Sequence, residues 1–549
     1  MNVNHGCIIA NIVHIEERRI VPGKITWENG IITRICELDK PELANSYLLP
    51  GFIDAHVHIE SSMLTPAEFA RIASRHGTVA TISDPHEIAN ILGLKGINFM
   101  IANAALTPMP IFFGAPACVP ATPFETAGAR LESGQLELLF KNKSVTYLSE
   151  MMNYPGVLNH DPDILAKLQL ARRYDCPIDG HAPGLTGADA LRYAQAGITT
   201  DHECSTLAET EAKLAAGMSI LIREGSAARN FDALHPLISS HPDKVMFCSD
   251  DKHPDDLVAG HINTLVARAV AASHDIFDVL RCACINPIIH YRLPLGRLRV
   301  GDRMDAVEVN NLQTFTPLRT WIAGYKVAEN NKSLLPSVKP APINYFNARA
   351  ISPDDLDIES VGQKIRVIKA FDGELFTEEL LQIPKVRHQK IVADPDRDIL
   401  LLTVINRYRP AKPALAFIQG FGLQQGALAS SVVHDSHNII AVGTDAELIC
   451  QAVNRIIAAK GGIAAATATG VKLLPLPIAG LMSDLDGDTL AHRYAELNRL
   501  AQLMGSQLSA PFMTLSFMAL LVIGNLKLSD QGLFDSKTFQ FTSLTVSSP

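Results

Sequence analysis

Short hydrophobic runs recur along the first half of the chain, and residues that favour turns, helix caps or metal binding close each run. Runs bounded in this way predict buried β-strands. Segments with helical spacing of apolar positions lie between them. The eight predicted strands are 47–54, 78–83, 110–115, 145–149, 176–179, 197–200, 218–222 and 244–249. The clearest predicted helices are 66–75, 165–173, 188–196 and 207–216.

The order of these elements predicts an α/β fold with a metal-dependent (β/α)8 TIM-like barrel over residues 48–290. Strands and helices alternate repeatedly, and such barrels usually have about 250 residues. Active sites of these barrels lie at the carboxyl ends of the strands. In this chain the polar residues follow the strands at that end, so the sequence predicts a functional site there.

Two further regions flank the predicted barrel. Short β-like runs in 1–47 and glycine-containing alternating segments in 291–370 predict one small flanking β domain, built from both stretches. The remaining residues, 371–549, predict an additional C-terminal α/β domain. Its predicted strands and helices are 398–404, 414–418, 438–442, 445–459 and 489–504.

Composition narrows the classes of function. The net charge is −9 and the chain has no basic stripe, so a nucleic-acid partner is not expected. The longest late apolar run, 515–523, is too short to cross a bilayer, so no membrane association is expected. The 9 cysteines form no C-x-x-C pair, and the first residues lack the pattern of a signal peptide. The expected location is therefore the cytoplasm, where thiols stay reduced.

The first predicted strand leads into His56 and His58. Side chains two positions apart on a strand point to the same face, so His-x-His aims two imidazoles at one point. Imidazole is the commonest metal ligand, although the dipeptide alone fits two ordinary polar loop histidines equally well. Later strand ends add further metal-binding residue types. These are Glu150, His181, His202 and Asp250 or Asp251.

Four imidazoles and two carboxylates at one barrel mouth fit two divalent cations that share a bridging ligand. Nitrogen and oxygen donors without thiolate suit Mn²⁺, Fe²⁺ or Zn²⁺. Glu150 would bridge the ions, and Asp250 would bind one ion and act as general base, with Asp251 as the alternative. The H-E-x-x-H, G-x-S-x-G and P-loop motifs are absent, and the H-x-E/P-C-x-x-C signature of zinc deaminases is incomplete.

Several segments are specific enough to compare with known families. Pro50–His58, His181, His202, Asp250 and 296–305 resemble the amidohydrolase superfamily. Other segments resemble the bacterial adenine deaminase family within it, and the likeness covers nearly the whole chain. They are 83–90, 119–126, 149–153, 249–257, 431–438, 474–482 and 511–516. The chain departs from the family's pattern at Lys252, where arginine is expected, and at 464–470.

The resemblance implies hydrolytic deamination of adenine to hypoxanthine and ammonia by a metal-bound hydroxide at a binuclear centre. It implies Mn²⁺ or Fe²⁺ as the two ions, with Zn²⁺ as a further option. The implied metal ligands are His56, His58, Glu150, His181, His202 and Asp250. The implied catalytic residues are Asp250, Glu150 and Asp251.

Polar residues near other strand ends are predicted to contact the purine. They are Asp84, His86, Glu87, Glu203, Arg223 and Ser226. Glu87 or Glu203 is also a hypothetical proton donor to the ring, whereas Asp84 before Pro85 is equally a good turn former. In the C-terminal region, His434 and His437 either close over the barrel mouth and touch substrate or a further metal, or belong to a polar turn between two strands.

Two other classes of function remain at this stage. Cyclic-amide hydrolases of the dihydroorotase or hydantoinase kind share the metal centre but usually carry a lysine on the fourth strand, where this chain has Glu150. A barrel without enzymatic activity would be expected to lack one or more of the metal-binding residue types at its strand ends, and this chain has all of them. The expected partner is the small molecule adenine, and the expected assembly is a homo-oligomer, specifically a dimer.

Overall fold

The computed structural model of the protein describes residues 4–38, 45–360 and 364–546. The outer ends of the predicted first and last domains, 1–3 and 547–549, lie outside the described residues. The chain begins with β-strands whose side chains alternate between buried and more exposed positions, as expected for strands with one face on a core. They are β1 Gly6–His14, β2 Arg19–Glu28, β3 Ile31–Glu37 and β4 Tyr47–Pro50.

Parallel strands of the predicted barrel follow. They are β5 Phe52–Val57, β6 Thr78–Ser83, β7 Ile111–Ala115, β8 Tyr147–Met151, β9 Ile178–Gly180, β10 Thr200–Asp201, β11 Ser219–Arg223 and β12 Val245–Cys248. Strands β5–β9 form one sheet and β10–β12 another. Backbone hydrogen bonds link the sheets on both sides. One side has a bond from Thr199 N to Ile178 O at 2.8 Å, and the other has bonds from Asp250 N to His56 O at 2.9 Å and from His58 N to Asp250 O at 3.3 Å. The predicted barrel is thus confirmed in part, with its ladder interrupted between β9 and β10 and between β12 and β5.

Helices connect these strands and continue after the last one. They are α1 Pro66–Ala73, α2 His86–Leu92, α3 Leu94–Ala104, α4 Ser133–Lys141, α5 Tyr154–Leu158, α6 Pro162–Arg173, α7 Gly187–Gln195, α8 Leu207–Ala215, α9 Phe231–Leu234, α10 Leu237–Ser240, α11 Pro254–Ala259, α12 Ile262–Ala271, α13 Ile276–Leu280 and α14 Asn286–Tyr291. Local capping explains where several begin. For example, the Asp161 carboxylate accepts hydrogen bonds from the N–H groups of Asp163 and Ile164 at the start of α6. The four predicted helices are confirmed as α1, α6, α7 and α8.

Strands that follow the barrel complete the sheet formed by the first residues of the chain. They are β13 Ala306–Val309, β14 Pro317–Ile322, β15 Tyr325–Glu329 and β16 Lys332–Ser333. The sheet order is β16-β15-β14-β13-β4-β1-β2-β3, so the strands from after the barrel form one half of the layer and those from before it form the other half. This layer carries the small cluster of apolar side chains around Trp27 and Trp321.

The first predicted barrel strand, 47–54, is in fact two strands. Strand β4 pairs with β1 and β13 in the flanking sheet, whereas β5 begins only at Phe52. Gly51 lies between them, and a Cβ atom added there would be 2.1 Å from a methyl carbon of Val79. Because only glycine leaves room for this close crossing, the chain changes sheets at that residue.

The last part of the chain forms a second α/β unit. Its elements are β17 Lys364–Lys369, β18 Glu378–Gln382, β19 Lys385–Arg387, β20 Lys390–Val392, β21 Leu400–Ile405, β22 Ala414–Gln419, β23 Ala427–Ser430, β24 Ile439–Gly443, α15 Ala446–Ala459, β25 Gly462–Thr467, β26 Gly470–Pro475, α16 Gly487–Leu503, α17 Pro511–Ser516, β27 Leu526–Ser529, β28 Gly532–Asp535, β29 Gln540–Phe541 and β30 Thr545–Val546. The main sheet has the order β18-β17-β22-β21-β24-β23-β25-β26, with β30 beside β17. Strand β17 therefore belongs to this unit, although the predicted boundary at residue 370 assigned it to the flanking domain.

Among the described residues, no helix combines the length and the apolar character needed to cross a bilayer.

Lys527 is a fully buried lysine in the C-terminal unit. Its Nζ donates hydrogen bonds to Leu375 O and Phe517 O, both at 2.8 Å. Burial lowers the pKa of Lys527 to about 7, because desolvation penalises the charged form. The ammonium therefore loses its proton near neutral pH in the folded protein.

We expect the pH slope of the thermal midpoint of unfolding, between about pH 7 and pH 10, to be more positive in wild type than in Lys527→Met. Below pH 7 both states hold the proton and the folded state bears the full cost of burying the charge. Above that pH the unfolded chain, with a lysine pKa of about 10.4, binds more protons than the folded one, so stability increases. Scanning calorimetry in a pH series measures this. The exposed Lys472→Met is the control, and equal pH slopes for wild type and Lys527→Met would contradict the assignment.

Candidate active site

The predicted ligands of the first metal lie together where β5 meets β12. His56 Nε2 is 3.2 Å from His58 Nε2, and Asp250 Oδ1 is 3.5 Å and 3.2 Å from these two nitrogens. The other ring nitrogen of His58 lies 3.1 Å from Asp84 O. A carbonyl oxygen can only accept, so Nδ1 carries the hydrogen and Nε2 presents its lone pair to the site.

Glu150 lies between the two pairs of histidines. Its Oε1 is 3.3 Å from His58 Nε2, and its Oε2 is 2.8 Å from His181 Nδ1 and 3.1 Å from His202 Nε2. All of these side chains are buried. One carboxylate oxygen thus faces each pair, which is the placement that a bridging ligand requires.

This donor set fits divalent cations. Two ligands bound to one ion at about 2.1 Å lie roughly 3.0–3.4 Å apart in octahedral or tetrahedral geometry. Most of the separations in this cluster lie close to that range, and the groups His56–His58–Asp250 and His56–Glu150–His202 each bring three donor atoms within 4.8 Å of one another. The residues present can therefore hold a metal centre with nitrogen and oxygen ligands.

Arg223 links two carboxylates beside this cluster. Its Nη1 donates to Asp250 Oδ2 at 2.8 Å, and the guanidinium also binds Glu203 through both carboxylate oxygens. Burial by itself raises the pKa of Glu203, but the Arg223 charge outweighs it and lowers this pKa below its usual value. Arg223 thus keeps Glu203 ionised and turns Asp250 so that Oδ1 faces the histidines.

Asp54, a carboxylate that the sequence analysis missed, stabilises the junction between β5 and β12. It accepts hydrogen bonds from Ser249 N at 2.9 Å and from His261 Nε2 at 2.8 Å. The other nitrogen of His261 is 2.7 Å from Thr78 Oγ1. Because Asp54 precedes His56 by two residues, this network sets the position of the first ligands.

The ligands His181 and His202 are positioned by a buried lysine. Lys213 Nζ lies 3.0 Å from Asp201 Oδ2 and 3.1 Å from Glu209 Oε1, and it donates to Ala182 O at 2.8 Å. Two of these partners are sequence neighbours of the histidines, since Ala182 follows His181 and Asp201 precedes His202. No sequence pattern indicated that Lys213 positions these histidines. It lies in the middle of a predicted helix, four residues after Glu209, where a lysine is usually exposed.

We expect Lys213→Met to lower the free energy of unfolding by about 3–5 kcal/mol, because Asp201 would stay buried without its cation. Urea denaturation followed by circular dichroism measures the change. Lys141→Met, which removes an exposed pair with Glu137, should cost no more than about 1 kcal/mol. A loss for Lys213→Met as small as the control would show that the buried pair does not stabilise the fold.

The C-terminal unit contributes to the site through the loop between β23 and β24. His434 Nδ1 and His437 Nε2 each donate a hydrogen bond to one oxygen of Glu87. Burial by itself raises the pKa of Glu87, but His434 and His437 outweigh it and hold this pKa well below its usual value. The hypothesis that Glu87 or Glu203 gives up a proton to the ring is therefore disfavoured, since both are held as carboxylates.

A pocket opens onto the cluster, and most of the predicted site residues line it. Its apolar wall comes from Met152 of the barrel and from Leu375, Phe517, Leu520 and Ile523 of the C-terminal unit. The predicted residues in its lining are His58, His86, Glu87, Glu150, His181, His202, Glu203, Arg223, Asp250, Asp251 and His434. The sequence analysis missed the apolar wall and the neighbouring Asp435.

Three residues predicted to bind substrate are placed elsewhere. Asp84 orients His86, with its Oδ2 3.1 Å from His86 Nδ1. His437 points at Glu87 from behind the pocket lining. Ser226 accepts a hydrogen bond from His253 N at 2.9 Å and donates to Asp256, so its hydroxyl is used in a loop contact instead.

Comparison with known proteins gives the class first. A model of the amidohydrolase family matches residues 47–327, about half of the chain, so the protein is an amidohydrolase. A second model, the adenine deaminase C-terminal domain, matches residues 374–540. Among solved structures, N-acetyl-D-glucosamine-6-phosphate deacetylase from Mycobacterium smegmatis covers 59% of this chain and is fully covered itself, with 15% identity and a TM-score of 0.47.

Curated relatives narrow the class. The adenine deaminase of Salinibacter ruber is 51% identical over 97% of this chain and 98% of its own length. Those of Sulfurovum sp. and Methanosarcina mazei are 52% and 50% identical over the same shares of each chain. The chain belongs to the adenine deaminase family.

Proposed function

We propose that the protein hydrolyses adenine to hypoxanthine and ammonia in the pocket that covers the His56–Asp250 cluster. The observation that carries this proposal is the position of Glu150, with one oxygen toward each pair of histidines, beneath a pocket with an apolar wall. Adenine is proposed as the substrate because relatives that match over nearly their full length are named adenine deaminase. A cyclic-amide hydrolase is not favoured.

The proposed metal ligands are His56, His58 and Asp250 on one side and His181 and His202 on the other, with Glu150 shared. Two divalent ions held there, Mn²⁺ or Fe²⁺ or alternatively Zn²⁺, would lower the pKa of a bound water toward neutrality. Glu150 would offset the repulsion between these ions by supplying a negative charge to both. Because His58 donates through Nδ1 to Asp84 O, Nε2 is the ring nitrogen that would bind metal.

Asp250 is the proposed general base. Its Oδ1 lies within 3.5 Å of both His56 and His58, and its Oδ2 is occupied by Arg223. Because a carboxylate oxygen has two lone pairs, Oδ1 would hold an ion with one of them and accept a proton from the attacking water with the other. The same oxygen can then pass that proton to the departing amino group at C6, so that ammonia leaves and the carboxylate is restored.

Recognition of the purine is assigned to the pocket walls. The apolar side chains Leu375, Phe517 and Leu520 offer a surface against which a flat base can pack. Asp251 and Glu203 face the same pocket and offer acceptors to N–H groups on the ring. Both Nη atoms of Arg223 bind carboxylates, so its proposed role is to hold Glu203 and Asp250 in place.

The proposal is tested by incubating metal-loaded protein with adenine and recording ultraviolet spectra and released ammonia. Conversion to hypoxanthine changes the absorbance, and one ammonia should appear for each adenine consumed. Parallel incubations use adenosine, dihydroorotate and hydantoin. Hydrolysis of a cyclic amide with adenine untouched would overturn the proposal.

We also propose that the protein works in the cytoplasm as a homodimer. All 9 cysteines are free thiols, which fits a reducing compartment. Light scattering after size-exclusion chromatography measures the assembly, and a single-chain mass would refute the dimer.

A further inference from the structure

A second group of metal-binding atoms lies beside the Glu150 cluster, at the start of α2. His86 Nε2 is 3.5 Å from Glu87 Oε1 and 3.4 Å from Asp435 Oδ1. All three side chains are buried, and their donor atoms lie within 4.8 Å of one another. Two of the residues come from the barrel and the third comes from the loop between β23 and β24.

The contacts of His86 Nδ1 fix the orientation of the imidazole ring. Its Nδ1 is 3.1 Å from Asp84 Oδ2 and 3.3 Å from Glu150 Oε1, both of which are carboxylate oxygens. Nε2 therefore points the other way, toward Glu87 and Asp435, and is the ring nitrogen that a cation in this group would contact.

Two polar atoms of these side chains have no hydrogen-bond partner. They are His86 Nε2 and Asp435 Oδ2, the second oxygen of the carboxylate whose Oδ1 faces His86, in side chains only 3% and 5% exposed. Leaving such atoms unpaired costs free energy. A cation bound by His86 Nε2 and by both oxygens of Asp435 would give each of them a partner.

The separations distinguish a cation from a direct hydrogen bond. An N–H···O bond spans about 2.7–3.2 Å, which is shorter than the 3.4 Å and 3.5 Å observed. Two ligands at about 2.1 Å from a shared ion in tetrahedral geometry lie roughly 3.4 Å apart. His58 and Glu150, in the principal cluster, show a similar separation of 3.3 Å.

We propose that His86, Glu87 and Asp435 bind a further divalent cation, separate from the centre shared by Glu150. One imidazole and two carboxylates suit a transition cation such as Mn²⁺, Fe²⁺ or Zn²⁺. His434 and His437, which donate to the two oxygens of Glu87, orient this ligand as outer partners of metal sites do. The ion would tie the C-terminal loop to the barrel beside the pocket.

Full-length protein, stripped with a chelator and reloaded with Mn²⁺, tests the site by metal analysis and by anomalous scattering at the manganese edge. We expect three equivalents per chain and a peak between His86 and Asp435, besides the peaks around Glu150. Asp435→Asn should lose that peak and one equivalent while the others stay. Glu308→Gln, which alters a buried carboxylate bound to Ser46 and Arg319 in the flanking sheet, should keep all three.

The wild-type map is decisive without any variant. No peak at His86 in crystals that show manganese around Glu150 would overturn the proposal and identify His86 as a protonated imidazolium, while leaving the proposed function intact. If Asp435→Asn does not fold, His86→Asn is analysed in the same way. Retention of three equivalents in a folded His86→Asn or Asp435→Asn protein would also refute the site.

Discussion

Replacement of Asp250 by asparagine is expected to lower kcat for adenine by roughly a hundredfold to ten thousandfold. The amide keeps an oxygen that can face His56 and His58, but it cannot accept a proton. Both metal equivalents in the principal centre should therefore remain while turnover is lost. Steady-state kinetics and metal analysis of the same preparation measure the two effects separately.

Asp251→Asn is the informative companion variant. Asp251 accepts a hydrogen bond from Ser61 and lies 3.8 Å from His434 Nε2, away from the two histidines of β5. Its replacement should raise KM more than it lowers kcat. If Asp251→Asn abolished kcat and Asp250→Asn did not, the role of general base would move to Asp251. Asp255→Asn, which alters a partly buried carboxylate bound to Asn498, should behave like wild type.

Glu150→Gln is expected to weaken metal binding at the principal centre by at least about a hundredfold. Loss of a residue that only hydrogen-bonds to a metal ligand costs about 10–100-fold, and here a proposed ligand itself is replaced. The amide removes the negative charge between two cations and replaces one acceptor oxygen with an N–H donor. Activity should disappear together with the metal. Titration of the chelator-stripped protein with Mn²⁺ measures the affinity.

The matched control for this variant is Glu60→Gln. Glu60 is as buried as Glu150, and its Oε1 accepts a hydrogen bond from Ile88 N, outside the donor cluster. Its replacement should leave the metal content unchanged. Normal metal content in Glu150→Gln, or an equal loss in Glu60→Gln, would remove Glu150 from its bridging place.

Local sequence patterns predicted the barrel half of the site well. A strand alternates its side chains strictly, so His56 and His58 had to face the same way. Strand ends in a parallel sheet lie at one edge, which is why Glu150, His181 and His202 come together without any contact being visible in the sequence. The boundaries were less accurate, because the change of sheet at Gly51 depends on how closely Val79 approaches.

Contacts between distant segments could not be predicted in this way. Glu87 and His434 are 347 positions apart, and no periodicity connects a helix start in the barrel with a loop in another unit. Asp435 escaped notice for the same reason. Ser226 does not line the pocket, because a position near a strand end does not determine which way a hydroxyl turns. Its partners are His253, just before α11, and Asp256, within α11.

The two parts of the pocket, one from the barrel and one from the C-terminal unit, are synthesised at different times. Ribosomes add about 5–20 residues per second, and domains near the N-terminus fold first. The barrel ligands end at Asp250, whereas the wall formed by Phe517, Leu520 and Ile523 is translated later, by an interval on the order of tens of seconds. During that time the histidines of the folded barrel are exposed to solvent. A divalent ion would then be able to reach them before the C-terminal unit folds over the pocket.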